Sequence, residues 1–424
     1  MSTLSTLSTT FPASIHPLDN GLTLIHQTIP TVPVVAVDVW VRAGAIAEPE
    51  PWWGMAHFLE HMIFKGTDRQ PPGMFDQVIE SRGGITNAAT SHDYAHYFIH
   101  TATPYISETL PHLADLLLNA TIPDDEFDRE RDVVLEEIRQ AEDDPDWIGF
   151  QVLMETAYLN HPYGRSVLGD AEGLMGRSPQ EMRQFHRAHY RPENMTVVVV
   201  GDISLDATQH LVEQTFTSTS HHLHCPKGIV TAEPPITEIR RQTLYLPRLQ
   251  QARLMMAWHG PSVDCLRDAY GLDLLSVVLA GGRSSRLVRE LREDRQLVQA
   301  IDCNFSLQRD SSLFTVNAWL DPENLDRVEA LIGDRLTELA TIPLSETELA
   351  RQKRLLRNDF AFSTETPMQL AGLYGYYQTI AQAHLCTTYP DHIQSFQPEE
   401  LQAIASRYLS PYRYVATVLL PAEI

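Results

Sequence analysis

An internal repeat limits the fold more than any other feature of this chain. Ala120-Thr-Ile-Pro123 recurs as Ala340-Thr-Ile-Pro343. The first copy opens a helical stretch from Asp124 to about Ala141, and the second opens one over 344–360. Each half then closes on an apolar strand, Thr196 to Val200 and Val415 to Leu420. A chain of 424 residues is long enough for two or three domains. A repeat on this scale points to two copies of one topology. Aligning Gly54 with Gly271 puts Leu274, Val277 and Val278 opposite His57, Glu60 and His61. The second copy keeps the helix and lacks the polar residues, so the chemistry belongs to the first half.

Those polar residues lie in Gly54-Met-Ala-His57-Phe-Leu-Glu60-His61-Met-Ile-Phe64-Lys-Gly-Thr67. No proline or β-branched residue falls between Met55 and Met62, and the stretch is predicted helical. A spacing of four stacks His57 and His61 on one helix face, with Glu60 beside them. Two imidazoles and one more protein ligand bind Zn²⁺ with a position left for water. A carboxylate next to that water can take its proton and pass it to a leaving amine. H-x-x-E-H is the inverzincin signature.

The helix predicted over 124–141 offers candidates for the third ligand. Phe127, Glu130, Val134, Glu137 and Ala141 share one stripe, whereas Arg129, Asp132, Glu136 and Gln140 form a wholly polar one. Glu136 is therefore read as solvated. Glu130 and Glu137 lie on the apolar stripe, where a carboxylate needs a partner. A metal ion held by His57 and His61 would serve, and so would a basic residue of a neighbouring helix; spacing alone leaves both open. His92, His96 and His100 are weighed as a rival site. His96 and His100 share a face of the strand Tyr94 to Ala102 but stand about 13 Å apart, too far to share an ion. His221, His222, His224 and Cys225 fall in a Ser-, Thr-, His- and Pro-rich stretch read as a linker, and their clustering is read as incidental.

Charge narrows the function classes. Against 32 Lys and Arg stand 55 Asp and Glu, a formal net charge of −23. Nucleic-acid binding wants basic patches and is not expected; the acidic excess is read first as a solvated surface, with attraction of basic peptides as the alternative. The 4 cysteines are far apart with no C-x-x-C, so neither a disulfide framework nor a cysteine zinc site is expected, and a reducing, cytoplasmic setting is. No apolar run approaches the length of a membrane span. The opening MSTLSTLSTT lacks basic residues and a long apolar core, and residues 1–14 are read as a disordered tail. The domain organisation expected is a zinc-binding catalytic domain over 15–217, a linker over 218–235 and a metal-free homologous domain over 236–424.

These residues resemble the pitrilysin/insulinase metallopeptidases, specifically the two-domain members similar to mitochondrial processing peptidase β-like subunits. The resemblance rests on H-F-L-E-H followed by M-I-F-K-G-T, on Asn87-Ala88-x-Thr90 and on Glu130-Arg-Asp-Val-Val-Leu-Glu-Glu137-Ile. His161-Pro-Tyr-Gly-Arg165 and Gly282-x-Ser-Ser-Arg286-Leu extend it over nearly the whole chain. It implies an α+β fold of two homologous domains, each an antiparallel sheet flanked by helices, with one Zn²⁺ per chain in the first only. It implies His57, His61 and Glu137 as ligands and Glu60 as the catalytic base. Glu130, two turns before Glu137, becomes the carboxylate that helps hold the site. Phe64 would line the pocket beside the scissile bond. Asn87 and Ala88 would belong to an edge strand that pairs with an extended peptide. The family's second domain carries an Arg and a Tyr that bind the substrate carbonyl across a chamber. Arg292 matches the first, but Gln299 stands where the tyrosine is expected, a donor of different reach.

The function expected is that of a zinc-dependent endopeptidase hydrolysing extended or unfolded peptides. Its expected partner is a homologous chain that supplies an intact Arg/Tyr pair in a heterodimer, with a homodimer as runner-up and neither nucleic acid nor membrane involved. The alternative is a non-catalytic scaffold or assembly subunit of the same fold.

Overall fold

Alternating valines around Asp38 and Trp40 make a strand covered on both faces, and the first sheet is built around it. In the computed structural model, which describes residues 11–217 and 230–422, the chain opens with β1 (Ser14–Pro17), β2 (Thr23–Thr28) and this strand, β3 (Val34–Val41). Helices α1 (Met55–Ile63) and α2 (Met74–Glu80) precede the hairpin of β4 (Ile85–Thr90) and β5 (Ala95–Ala102). There follow α3 (Ile106–Asn119), α4 (Asp124–Glu142), α5 (Pro145–Ala157), α6 (Ala171–Met175) and α7 (Pro179–His189). The fully buried β6 (Met195–Gly201) and α8 (Leu205–Thr215) close the first half. The second half runs β7 (Arg240–Leu246), β8 (Ala252–His259), α9 (Leu266–Ala280), β9 (Val298–Ser306) and β10 (Leu313–Leu320). It ends with α10 (Leu325–Thr341), α11 (Glu346–Phe362), α12 (Pro367–Ile380), α13 (Leu385–Ser395), α14 (Pro398–Tyr408) and β11 (Val415–Pro421).

The repeat is visible in the sheets. One has the order β1-β2-β6-β3-β5-β4 and the other β7-β11-β8-β10-β9, the same order apart from the added β1. Neither is wholly antiparallel as expected, because β2 pairs in parallel with β6 and β7 with β11. The reason is geometric. The last strand of each half inserts between two strands of opposite direction and must run parallel to one of them.

The contiguous division into 15–217 and 236–424 does not describe the packing. One compact unit holds residues 11–135, the stretch from Val167 through α8, and Ser363–Tyr389; the other holds Glu136–Ser166, the stretch from 230 to Phe362, and residues 390–422. Helix α12, from the second half, therefore lies on β3 and β6 of the first sheet, and α5, from the first half, lies on β7, β8 and β11 of the second. Each exchanged helix carries a glycine at its closest approach. A Cβ on Gly149 would lie 2.8 Å from Met255 Sδ, and one on Gly375 would lie 2.0 Å from Trp40 Nε1.

Two expected boundaries also move. The tail does not reach residue 14: Phe11 meets the Tyr374 ring edge-on at 5.1 Å and β1 starts at Ser14. The linker does not reach residue 235, because the Glu233 carboxylate accepts the N–H groups of Asn160 (2.7 Å) and His161 (3.1 Å). His221, His222, His224 and Cys225 lie outside the described residues. The His161-Pro-Tyr-Gly motif packs within the second unit. His161 Nδ1 accepts from Tyr163 N at 3.2 Å, the Tyr163 hydroxyl accepts from Asp310 N at 3.2 Å, and Gly164 lies against the Tyr158 carbonyl where no Cβ fits.

An interior helical glycine normally gains up to about 1 kcal/mol on replacement by alanine. At Gly375 the Trp40 indole, itself stacked on His96 at 4.3 Å, blocks the methyl. Gly375→Ala should therefore destabilise the protein by roughly 1–3 kcal/mol, read as a lower urea midpoint. An unchanged or higher midpoint would contradict this packing.

Candidate metal centre

The position of α1 is set at its first turn. Gly54 precedes the helix at φ +86°, a left-handed conformation that suits glycine. Its N–H and that of Ala56 are accepted by the two carboxylate oxygens of Glu48 at 3.0 and 2.7 Å. Glu48 is buried, so it satisfies donors that a helix start leaves open and places negative charge at the positive end of the dipole. A Cβ on Gly54 would lie 2.8 Å from Gly169 Cα, which fixes the backbone from the other side. Met55, Ala56, Phe58, Leu59, Met62 and Ile63 bury the apolar part of the helix. His57, Glu60 and His61 share what remains.

Helix α4 supplies the facing carboxylates and is one continuous helix across the Leu135/Glu136 division of the units. Its lead-in is fixed by Arg183, which donates to the carbonyls of Thr121 (3.2 Å) and Ile122 (2.6 Å) and to the Asp124 carboxylate. The stripe falls as counted from the sequence. Phe127, Glu130 and Val134 are buried and Glu137 is half-buried, while Glu136 is exposed and paired with Arg139 at 2.8 Å.

The two helices bring His57, His61 and Glu137 together with ligand atoms all within 4.8 Å of one another. Among the described residues, no other group of three or more His, Cys, Asp or Glu side chains is so close. His96 instead faces Asp38 at 3.1 Å. The chemistry of the donor set fits a divalent metal. Burial first, and then neighbouring His61, pushes His57 down to about 4, so its ring is neutral and has a lone pair to offer. His61 Nδ1 lies 2.9 Å from Glu130 Oε1. A hydrogen bond there puts the proton on Nδ1 and leaves Nε2 as the metal-binding nitrogen. Glu130 Oε2 meets Lys65 Nζ at 2.5 Å. Burial pushes the Glu130 carboxyl up, but the hydrogen bonds and charges of His61 and Lys65 outweigh it and hold the group below its usual range. Two imidazoles and a carboxylate form the three-ligand set of open zinc sites.

Glu60 lies on the same helix face, and its Oε2 accepts from Thr90 Oγ1 at 2.5 Å. Phe64 is half-buried between Phe75 (5.9 Å) and Tyr97 (6.0 Å between ring centroids). Asn87 and Ala88 lie on β4, the free edge of the first sheet, with the Asn87 side chain exposed. In the second unit Arg292 sits in an irregular helical turn, Val288–Asp294, and pairs with Glu293 at 2.6 Å. Gln299 is exposed on β9, the edge strand of the second sheet. Sequence reasoning missed Glu48 and gave no role to Lys65 or Thr90, although both lie in motifs that carry the family resemblance. Lys65 lies one helical turn after His61 and Thr90 ends the Asn87-Ala88-x-Thr90 motif, whereas Glu48 acts across a loop and had no signal. Tyr97 and Tyr190, whose hydroxyls lie 2.7 Å apart, were also missed. Burial pushes both phenols up, and the charge of Glu60 adds to it.

Comparison with known proteins identifies the family. The family model described as Insulinase (Peptidase family M16) matches residues 23–171, and the one described as Peptidase M16 inactive domain matches 178–356. The uncharacterized zinc protease YmxG of Bacillus subtilis is 31% identical over 353 residues, 82% of this chain and 83% of its own length. Zinc protease PqqE of Helicobacter pylori is 28% identical over 411 residues, 95% of this chain and 92% of its own. The crystal structure of a protease from Helicobacter pylori superposes with a TM-score of 0.89 at 27% identity, covering 96% of this chain and 99% of that one. A peptidase M16 inactive domain from Pseudomonas fluorescens, at 20% identity and a TM-score of 0.86, covers 97% of this chain and 98% of that one and shares the fold. Matching both halves of the insulinase pattern and aligned nearly end to end with named zinc proteases, this chain belongs to the pitrilysin/insulinase family of peptidases, M16.

Proposed function

We propose that the chain is a zinc-dependent endopeptidase acting on extended or unfolded peptides. The observation that carries this reading is the convergence of His57, His61 and Glu137, with Glu60 on the same face of α1. Zinc bound there would acidify a water and polarise the scissile carbonyl. Glu60 takes the proton of the attacking water and returns it to the leaving nitrogen. Glu130 and Lys65 hold His61 in the tautomer that binds metal. The peptide pairs with β4 as an added strand, Asn87 and Ala88 alongside it and Phe64 against the residue near the scissile bond. A non-catalytic scaffold has no need of a complete ligand set with a base beside it. The described cysteines, Cys265, Cys303 and Cys386, are free thiols, and no helix among the described residues is long and apolar enough to cross a membrane. We place the protein in the cytoplasm.

The partner we propose is a homologous chain in a heterodimer. Support comes from Gln299, which stands where a phenol is expected to reach the substrate carbonyl. A missing donor of that kind costs on the order of a hundredfold in rate. Gln299→Tyr should raise the turnover of the isolated chain, and adding a zinc-less homologue from the same cell should raise that of the wild type. A lone wild-type chain as active as the mixture would favour the homodimer.

Purified protein should bind about one zinc per chain. His61→Ala or Glu137→Gln should remove most of it, and Glu130→Gln should weaken it by about 10–100-fold. Glu60→Gln should keep the metal and lose turnover; full activity in that variant would refute the mechanism. With a net charge of −23, Lys- and Arg-rich peptides should be cut faster than acidic ones at low ionic strength. That advantage should shrink with salt, and equal rates at low salt would contradict it.

A further inference from the structure

Metal binding does not require the hydrogen bond that the base itself receives. Thr90 Oγ1 donates to Glu60 Oε2 at 2.5 Å, a short bond to a charged acceptor. Thr90 is the last residue of β4, the strand that carries Asn87 and Ala88. Its backbone is set by pairing with β5, where it lies opposite Ala95. On its other edge β4 has no neighbouring strand among the described residues. A glutamate has three rotatable bonds between its backbone and its carboxylate, so a rigid helix alone does not aim the group. A donor anchored in the sheet does.

We infer that Thr90 is a positioning residue for Glu60, tying the catalytic base to the strand on which the peptide docks. A peptide added to β4 then enters the frame that already fixes the base. Scissile bond and carboxylate are aligned by one strand rather than by separate elements. The inference rests on the peptidase reading above, but its geometry can be tested without turnover.

The variants are Thr90→Val, which keeps the shape and loses the donor, and Thr90→Ser, which keeps the donor. In zinc-loaded protein, Thr90→Val should lower kcat by about tenfold or more, with KM and zinc content unchanged. Thr90→Ser should restore most of the rate. Crystals of wild type and Thr90→Val should show the Glu60 carboxylate in one position in the first and spread or turned away in the second. In a Glu60→Gln background, Thr90→Val should leave the dissociation constant of an uncleaved peptide unchanged. The inference is overturned if Thr90→Val keeps the wild-type kcat, if KM rises or zinc content falls together with kcat, or if Glu60 holds the same position without the hydroxyl. A wild-type chain that binds zinc and cuts no peptide would defeat the peptidase reading instead, and the Glu60 position would still decide the role of Thr90.

Discussion

Helix α1 has only nine residues, too few to be stable in water by its own hydrogen bonds. The Glu48 carboxylate holds its first turn through the N–H groups of Gly54 and Ala56, and the close meeting of Gly54 with Gly169 stops the backbone from sliding. These contacts set the phase of the helix. One residue of slippage rotates every side chain by about 100° and would bury Glu60 or turn His57 away from α4. The apolar residues of α1 then lock that phase into the core, leaving one narrow face for the polar groups. Site geometry and fold stability are in this sense the same interaction.

The electrostatics follow from that placement. His57 is pressed into the core and stays neutral. His61 is more open and is oriented by Glu130, which Lys65 in turn keeps charged. Across from them Glu137 brings negative charge on a helix whose lead-in Arg183 has anchored. Of the two carboxylates on the apolar stripe, Glu130 is met by Lys65 and His61, whereas Glu137 converges with His57 and His61 in an arrangement that suits a metal ion.

Much of this was legible in the sequence because it is local. The spacing of His57, Glu60 and His61 defines a helix face wherever the helix lies, and the stripe of Phe127, Glu130, Val134 and Glu137 correctly separated Glu137 from Glu136. The shared motif at Ala120 and Ala340 announced the repeat that the two sheet orders now display. What stayed hidden depends on partners distant in the chain. The apolar sides of α5 and α12 reveal that these helices are buried, but not against which sheet, and two homologous sheets offer each helix similar surfaces. The parallel strand pairs were hidden for a related reason: alternation reveals a strand's faces but not its direction. Thr90 stood in the Asn87-Ala88-x-Thr90 motif without a role until its hydroxyl was seen on Glu60.

The most direct test of the account is a crystal structure of the Glu60→Gln variant with zinc and an extended peptide. Zinc should appear about 2.0–2.2 Å from His57, His61 and Glu137, with the peptide paired as an added strand along β4 and its carbonyl toward the metal. Zinc bound elsewhere, or a peptide seated away from β4, would contradict the assignment of this face of α1 as the catalytic site.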